Sequence, residues 1–421
     1  MRRFYLFFLL SLIFTNICSC AKLYVLKPEY HSLEEIRLSI KVIKAQPILQ
    51  AGKHYQFRNY LFVNEKEKGI HIIDIKDESN PKSTQFIHIP GNYHFILKGS
   101  FLYADSYRDL VIFELKNNRW KKVGYIKNVY QHRVPQSKWI HQWLRKCRDC
   151  SFVYEKVNSA RGIVKGWKVV EEHARSGKSR RRYHGPLQAY INLLDRPNFV
   201  VYENFLYIPY QSSILIFDIK DPHHPEFIKS IHFEKTKISG LLVYRNYLFI
   251  NFWYKELGLY QLKEPLNPKQ ISAVKFSIKR PIVYQNKIYT FSRKFTLKEH
   301  VIKNDKLHEI NKFGFSKPER RWRRGYYYDP IYSIVMKDDL FFMTFEMYNF
   351  QIFKNKKQIF RLYDSPVWPK FLKSDEKTYK IIVTGSYIYL FNPRGFAVLK
   401  INDGKNISFI RFIGKGKEEA K

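Results

Sequence analysis

An all-β fold, a single β-propeller of seven blades within a range of six to eight, is the architecture this sequence predicts, and three observations predict it. A short β-rich phrase recurs along the 421 residues: "NYLFV" (59–63), "SFLYA" (100–104), "NFLYI" (204–208), "NYLFI" (246–250), "NKIYT" (286–290), "DDLFF" (338–342) and "SYIYL" (386–390). Its aliphatic anchors are Leu61, Leu102, Leu206, Leu248, Ile288, Leu340 and Ile388, with gaps of 41, 104, 42, 40, 52 and 48 residues. A period of roughly 40–50 residues built from short strands marks a propeller blade. A second apolar strand follows each clear anchor strand, as in "GIHIIDI", "SILIFDI" and "LGLYQL", and closes in "KDESNPK", "KDPHHPE" or "KEPLNPK". Pro fixes φ in those turns while Asp or Asn caps the bend. One blade cannot bury both of its faces, so the phrase must recur until a ring closes.

In chain order, residues 1–19 read as a leader. "MRR" is a positive n-region and "FYLFFLLSLIFTNI" (4–17) a 14-residue apolar h-region, shorter than the roughly 20 residues a membrane-spanning helix needs. It ends in "ICSC" (17–20), which resembles a bacterial lipobox with Cys20 as the modified residue. That resemblance implies cleavage before Cys20, a diacylglycerol on its sulfur and an acyl chain on its new amine. An ordinary secretory signal ending near Ser19, leaving Cys20 free, is the alternative. Residues 20–45 form a lipid-anchored segment in which Ser32 and Glu35 are spaced as a capping box, predicting a short helix from Leu33. The propeller occupies 46–412, and 413–421 is a basic tail. The 104-residue gap carries an insertion, 131–190, which is a functional loop, a disordered one or a degenerate eighth unit.

"NYLFVNEKEKGIHIIDIKDESNPK", "GSFLYADSYRDLVIFEL" and "NFLYIPYQSSILIFDIKDPHHPE" resemble the LVIVD-repeat family of bacterial proteins. Its unit is an aliphatic-aromatic strand, a small loop, a glycine, an apolar strand and a "DPxNP"-like turn. The run from "QPILQAGKHYQFRNYLF" through "IPGN" to "YADSYRDLV" is similar to the lipoproteins of that family. The resemblance covers 22–130 and 200–270 well, and 280–412 in outline. It implies a propeller exported with a lipobox and no defined activity, since propellers host many.

Seventy-four Lys and Arg against 37 Asp and Glu leave a net charge of +37. Codon bias toward Lys, Ile, Asn, Phe and Tyr explains such an excess without a partner. Attraction to lipopolysaccharide, acidic glycans or lipid headgroups explains it with one. An exported chain does not meet nucleic acid, and Ala21-Lys22 after Cys20 favours the outer membrane over the inner.

Within the insertion, Cys147 and Cys150 form one CxxC. Position 151 is Ser, not His, which rejects covalent haem. A disulfide, two free thiols and a zinc site recruiting His132, His141, His173 or His184 stay open. Two cationic runs are candidate ligand-binding segments: Arg180, Arg181 and Arg182 in the insertion, and "ERRWRRGYYYDP" (319–330). In the latter Arg320, Arg321, Arg323 and Arg324 flank Trp322, and Tyr326, Tyr327 and Tyr328 follow. Guanidinium forks take carboxylates or phosphates, and aromatic faces stack on sugar rings; a solvated loop and the start of the next strand are the structural alternatives. Asp105 and Asp109 around Arg108 could bind Ca²⁺ or act as an acid/base pair, or neutralise a turn. No GxSxG, HExxH or phosphate loop occurs in the chain. No catalytic residue, metal ligand or cofactor is therefore assigned. The reading is an envelope lipoprotein whose propeller binds or scaffolds an acidic glycan, lipopolysaccharide or envelope protein. The alternative is a hydrolase or lyase acting on an envelope polysaccharide.

Overall fold

The computed structural model describes residues 22–49, 51–117, 119–130, 150–172, 198–235, 237–252, 256–275, 281–291, 296–314, 321–322, 325–326, 331–337, 340–345, 349–354, 357–361, 380–392, 395–402 and 406–414. The chain divides into two units: Met1–Arg37 with His132–Asp195, and Leu38–Gln131 with Arg196–Lys421.

The larger unit is a seven-bladed β-propeller, each blade an antiparallel sheet whose four strands pair in chain order. Blade 1 is built from Ala51–Phe57, Tyr60–Glu65, Gly69–Asp74 and Lys82–His88. Blade 2 uses Phe95–Lys98, Phe101–Ser106, Asp109–Lys116 and Arg119–Ile126, and blade 3 uses Val200–Tyr202, Phe205–Tyr210, Ser213–Asp218 and Glu226–His232. Blade 4 spans Ile238–Lys275, blade 5 Ile282–Gly314, blade 6 Ile331–Arg361 and blade 7 Lys380–Gly414. A short strand, Lys41–Lys44, adds a fifth member to the outer edge of blade 1 by pairing with Lys82–His88.

Period-2 alternation along the second strand assigns its side chains to two interfaces. Leu61, Leu102, Leu206, Leu248, Ile288 and Ile388 pack toward the preceding blade, while the next residue, Phe62, Tyr103, Tyr207, Phe249, Tyr289 or Tyr389, packs toward the following one. In blade 6 the strand begins at Leu340, paired with Lys337, so Phe341 and not Leu340 takes the anchor position and Phe342 the aromatic one. The predicted spacing is off by one residue there because two consecutive phenylalanines and a leucine fit the phrase in either register. Seven apolar clusters lie between successive blades. The last joins Ile382, Tyr389, Phe391 and Val398 of blade 7 to Leu61, Val63 and Ile73 of blade 1. Among the described residues the ring thus closes by side-chain packing, with no strand exchanged between the first and last blades.

Tyrosines in the aromatic position tie blades together. Tyr207 donates to the Pro265 carbonyl (2.9 Å) and Tyr389 to the Glu78 carbonyl (3.0 Å), each in the turn of the following blade. Burial pushes the Tyr389 hydroxyl up to about 12. The Tyr103 hydroxyl is buried and has no hydrogen-bond partner among the described residues. Tyr207→Phe and Tyr389→Phe are therefore expected to cost about 1 kcal/mol each, while Tyr103→Phe costs nothing or stabilises. Urea denaturation of the three variants checks this, and equal losses at all three positions would refute the assignment.

Every third-to-fourth strand pairing carries a β-bulge at the same place, between the fourth and fifth residues of the third strand. The unpaired residues opposite are Thr84, Val123, Ile228, Ile271, Ile310, Ile359 and Ile410, β-branched in all seven blades. A bulge steepens local twist, which is what a wedge-shaped blade needs toward its rim. It also leaves Ile228 and Ile310 exposed at 40% and 49%. Gly69 and Gly395, at the start of their third strands, have φ of 146° and 151°. A Cβ there would meet the Ile87 or Ile413 carbonyl oxygen at 2.0 or 2.1 Å, so only glycine fits.

The smaller unit shows what part of the insertion does. Lys22–His31 is the central strand of a three-stranded sheet, parallel to Cys150–Tyr154 and antiparallel to Ile163–Glu172. Residues 150–172 are therefore neither plain loop nor an eighth blade. Leu26, Val164 and Trp167 form a small core, and the Tyr30 hydroxyl accepts from the Asn158 amide at 2.8 Å. The helix Leu33–Ser39 starts where the capping box predicts: Glu35 N donates to Ser32 Oγ at 3.0 Å and Ser32 N to a Glu35 carboxylate oxygen at 3.2 Å.

Candidate functional site

The blade topology gives the propeller two ends. One carries the tight first-to-second and third-to-fourth strand turns. The other carries the second-to-third strand loops and the blade-to-blade connections, of which the three longest by sequence are 127–199 between blades 2 and 3, 315–330 between blades 5 and 6, and 362–379 between blades 6 and 7.

Within 315–330, Arg321–Trp322 pairs antiparallel with Gly325–Tyr326, in register Arg321↔Tyr326 and Trp322↔Gly325. This hairpin, which holds Tyr326, precedes the described part of the first strand of blade 6, Ile331–Lys337. Arg320, Arg323, Arg324, Tyr327, Tyr328, Arg180, Arg181, Arg182, Cys147 and Cys20 lie outside the described residues. Cys150 heads the strand Cys150–Tyr154, opposite Lys22.

The connection end is held by buried polar groups that the sequence did not single out, apart from one pair. Asp105, fully buried, accepts hydrogen bonds from the Tyr93 amide (2.7 Å), the His94 amide (2.9 Å) and Asn92 Nδ2 (2.9 Å). Asn64 Nδ2 in turn donates to Asn92 Oδ1 at 2.6 Å. Asp109 accepts from the Asn128 amide at 2.9 Å. The two carboxylates thus clamp the chain as it enters and leaves blade 2. Glu65 accepts from the Leu49 amide (2.9 Å) and lies 3.3 Å from His71 Nε2, both side chains buried. In blade 5, Lys287 pairs with buried Glu299 at 2.6 Å, and Thr290 Oγ1 meets His300 Nε2 at 2.9 Å. Each of these buried carboxylates has a partner within the fold, which is where a desolvated charge must find one. No three His, Cys, Asp or Glu side chains converge as a metal site among the described residues.

The innermost strands of blades 1 and 7 add basic groups: Lys53 and His54 on one, Lys380 on the other. Burial, reinforced by the Lys380 and Lys53 charges, holds the His54 imidazole well below its usual range, so it stays neutral.

At the turn end, a cleft of about 400 Å³ opens beside the ring-closing seam. Blade 1 supplies Gln56, Arg58 and Asn59 from its first hairpin and residues 75–79 from its third-to-fourth strand turn; blade 7 supplies Tyr387. That turn is braced from within and from across the seam. Asp77 Oδ1 accepts from the Ser79 hydroxyl (2.6 Å) and amide (3.0 Å), which lowers the Asp77 carboxyl from its usual value. From blade 7, Tyr389 holds the Glu78 carbonyl and Arg411 Nη1 donates to Asn80 Oδ1 at 2.6 Å. The guanidinium of Arg58 lies 5.2 Å from the centroid of the Phe57 ring.

The family model of the LVIVD repeat matches residues 58–89 and 197–232, the second-to-fourth strands of blade 1 and all four strands of blade 3. No curated protein matches the chain in sequence. Among solved structures, Hsv2 of Kluyveromyces lactis is similar at 10% identity with a TM-score of 0.50, covering 87% of this chain and 99% of that one. The computationally designed protein Ika8 aligns at 7% identity with a TM-score of 0.49, covering 90% and 92%. At such identities the likeness to Hsv2 is one of fold alone.

Proposed function

We propose that this LVIVD-repeat β-propeller is an exported, lipid-anchored protein of the cell envelope, tethered through Cys20, that binds or scaffolds an anionic envelope component. Lipopolysaccharide, an acidic glycan and an acidic face of another envelope protein share the chemistry it would recognise. The observation that carries the reading is the way charge is distributed. The chain holds an excess of 37 cations, while the described buried carboxylates Glu65, Asp105, Asp109 and Glu299 are engaged in hydrogen bonds or ion pairs within the fold. Carboxylates spent on holding loops are poor candidates for acid/base work on a polysaccharide, so binding is favoured over hydrolysis or elimination. The lipobox-like "ICSC" supports the tether.

The unlipidated protein is expected to be retained on lipopolysaccharide and heparin matrices at about 50 mM salt and to elute well before about 0.5 M, since exposed charges are screened beyond a few ångströms at that strength. Retention that ignores salt, or no retention at low salt, would count against an electrostatic role. Capture of the lipidated protein from solubilised membranes separates a protein partner from a glycan.

A further inference from the structure

We infer that the cleft at the seam of blades 1 and 7 binds a carboxylated sugar, a uronic acid residue of an acidic glycan. The inference rests on the envelope-binding reading above and names its ligand class.

The lining carries two cations, Arg58 and Lys76, and two carboxylates, Asp77 and Glu78. Arg58 and Lys76 have no carboxylate partner among the described residues. The cation pair suits a carboxylate, for which the Arg58 guanidinium has the paired donors. A ligand that was only an anion would be opposed by Asp77 and Glu78. A uronate brings hydroxyl donors for those acceptors, with Gln56 and Asn59 able both to donate and to accept. Buried Ile75 and half-buried Tyr387 supply an apolar wall for the C–H face of the ring. A volume of about 400 Å³ lies at the lower end of the range for small-molecule sites.

The walls are also preorganised. The 77–80 turn is fixed through Tyr389 and Arg411. Gly385 of blade 7 has φ 45°, and a Cβ there would stand 2.3 Å from a Glu78 carboxylate oxygen. The equivalent hairpin glycine of blade 2, Gly99, has nothing within 4 Å of that position. A side chain at 385 would therefore meet the Glu78 carboxylate as it now stands.

Isothermal titration calorimetry with trigalacturonate, a neutral galactose trisaccharide and inorganic phosphate tests the inference. Wild type should bind the uronate and neither of the others. Arg58→Gln with Lys76→Gln should weaken uronate binding by about tenfold or more. Lys121→Gln with Lys263→Gln, which removes equal charge from exposed positions on blades 2 and 4, should change it by less than about twofold. Both doubles alter exposed side chains, and an unchanged melting temperature establishes that they fold. Unaltered uronate binding by the cleft double overturns the site while leaving the envelope reading intact. Equal binding of phosphate or of the neutral sugar overturns the ligand class. Failure of wild type to bind either the uronate or the lipopolysaccharide matrix overturns both.

Discussion

Cys20→Ala is expected to move the protein from the membrane pellet to the soluble fraction and to abolish incorporation of radiolabelled palmitate. The physical basis is the additivity of acyl-chain burial, about 0.8 kcal/mol per CH₂. One chain gives marginal, reversible attachment, whereas the two or three carried by a lipidated cysteine hold effectively without release. A surface with this much positive charge could also cling to anionic headgroups, so the fractionation is done after a wash at high ionic strength, which removes that contribution and not the lipid. Membrane retention of the washed Cys20→Ala protein, or label persisting in it, would exclude Cys20 as the anchor. The mass of the N-terminal peptide from wild type reads the same question directly: a modified cysteine as first residue supports the tether, an unmodified thiol refutes it.

Asp105→Ala is expected to be the most destabilising single change in the buried polar clamp, at about 3–5 kcal/mol. The amides of Tyr93 and His94 lose their carboxylate acceptor at once, and the Asn92 side chain loses one of the three acceptors of its amide group. Each is buried or nearly so, and an orphaned buried donor costs about 1–3 kcal/mol. Asp105→Asn keeps one acceptor oxygen and should lose about half as much. Asp109→Ala, which takes the acceptor from one backbone amide, that of Asn128, where Asp105→Ala takes it from two, should cost less than Asp105→Ala. Denaturant titration of the unlipidated form measures all three. A loss below about 1 kcal/mol for Asp105→Ala would show that the connection between blades 1 and 2 is held by packing alone.

The legible parts of this fold are those with a local physical cause. Alternation in "NYLFV" and its relatives states which residues face each neighbouring blade, and the Ser32–Glu35 spacing states where a helix begins. Where local patterns are degenerate the reading slips, as at Leu340–Phe341–Phe342, which only cross-strand pairing with Lys337 resolves. The bulge residues could have been found: a β-branched side chain recurs in the fourth strand of every blade. A single such residue, however, carries no signal of being unpaired. Asp105 and Asp109 stood out as a pair of acids around Arg108, but their partners, Asn92, Tyr93, His94 and Asn128, are supplied by the chain on either side of blade 2.

By itself the sequence determined the strand phrases, their repetition and the need for a closed ring, because alternation and turn chemistry act over a few residues. Only the tertiary structure decided that Lys22–His31 would recruit residues 150–172 into a separate sheet. It alone decided that, among the described residues, blade 7 would meet blade 1 without exchanging a strand. It alone decided, too, that Arg58, Glu78 and Tyr387 would line one cleft. Those contacts join residues more than a hundred positions apart. Their pairing is set by which faces remain to be buried once the blades have formed, and no local pattern records that.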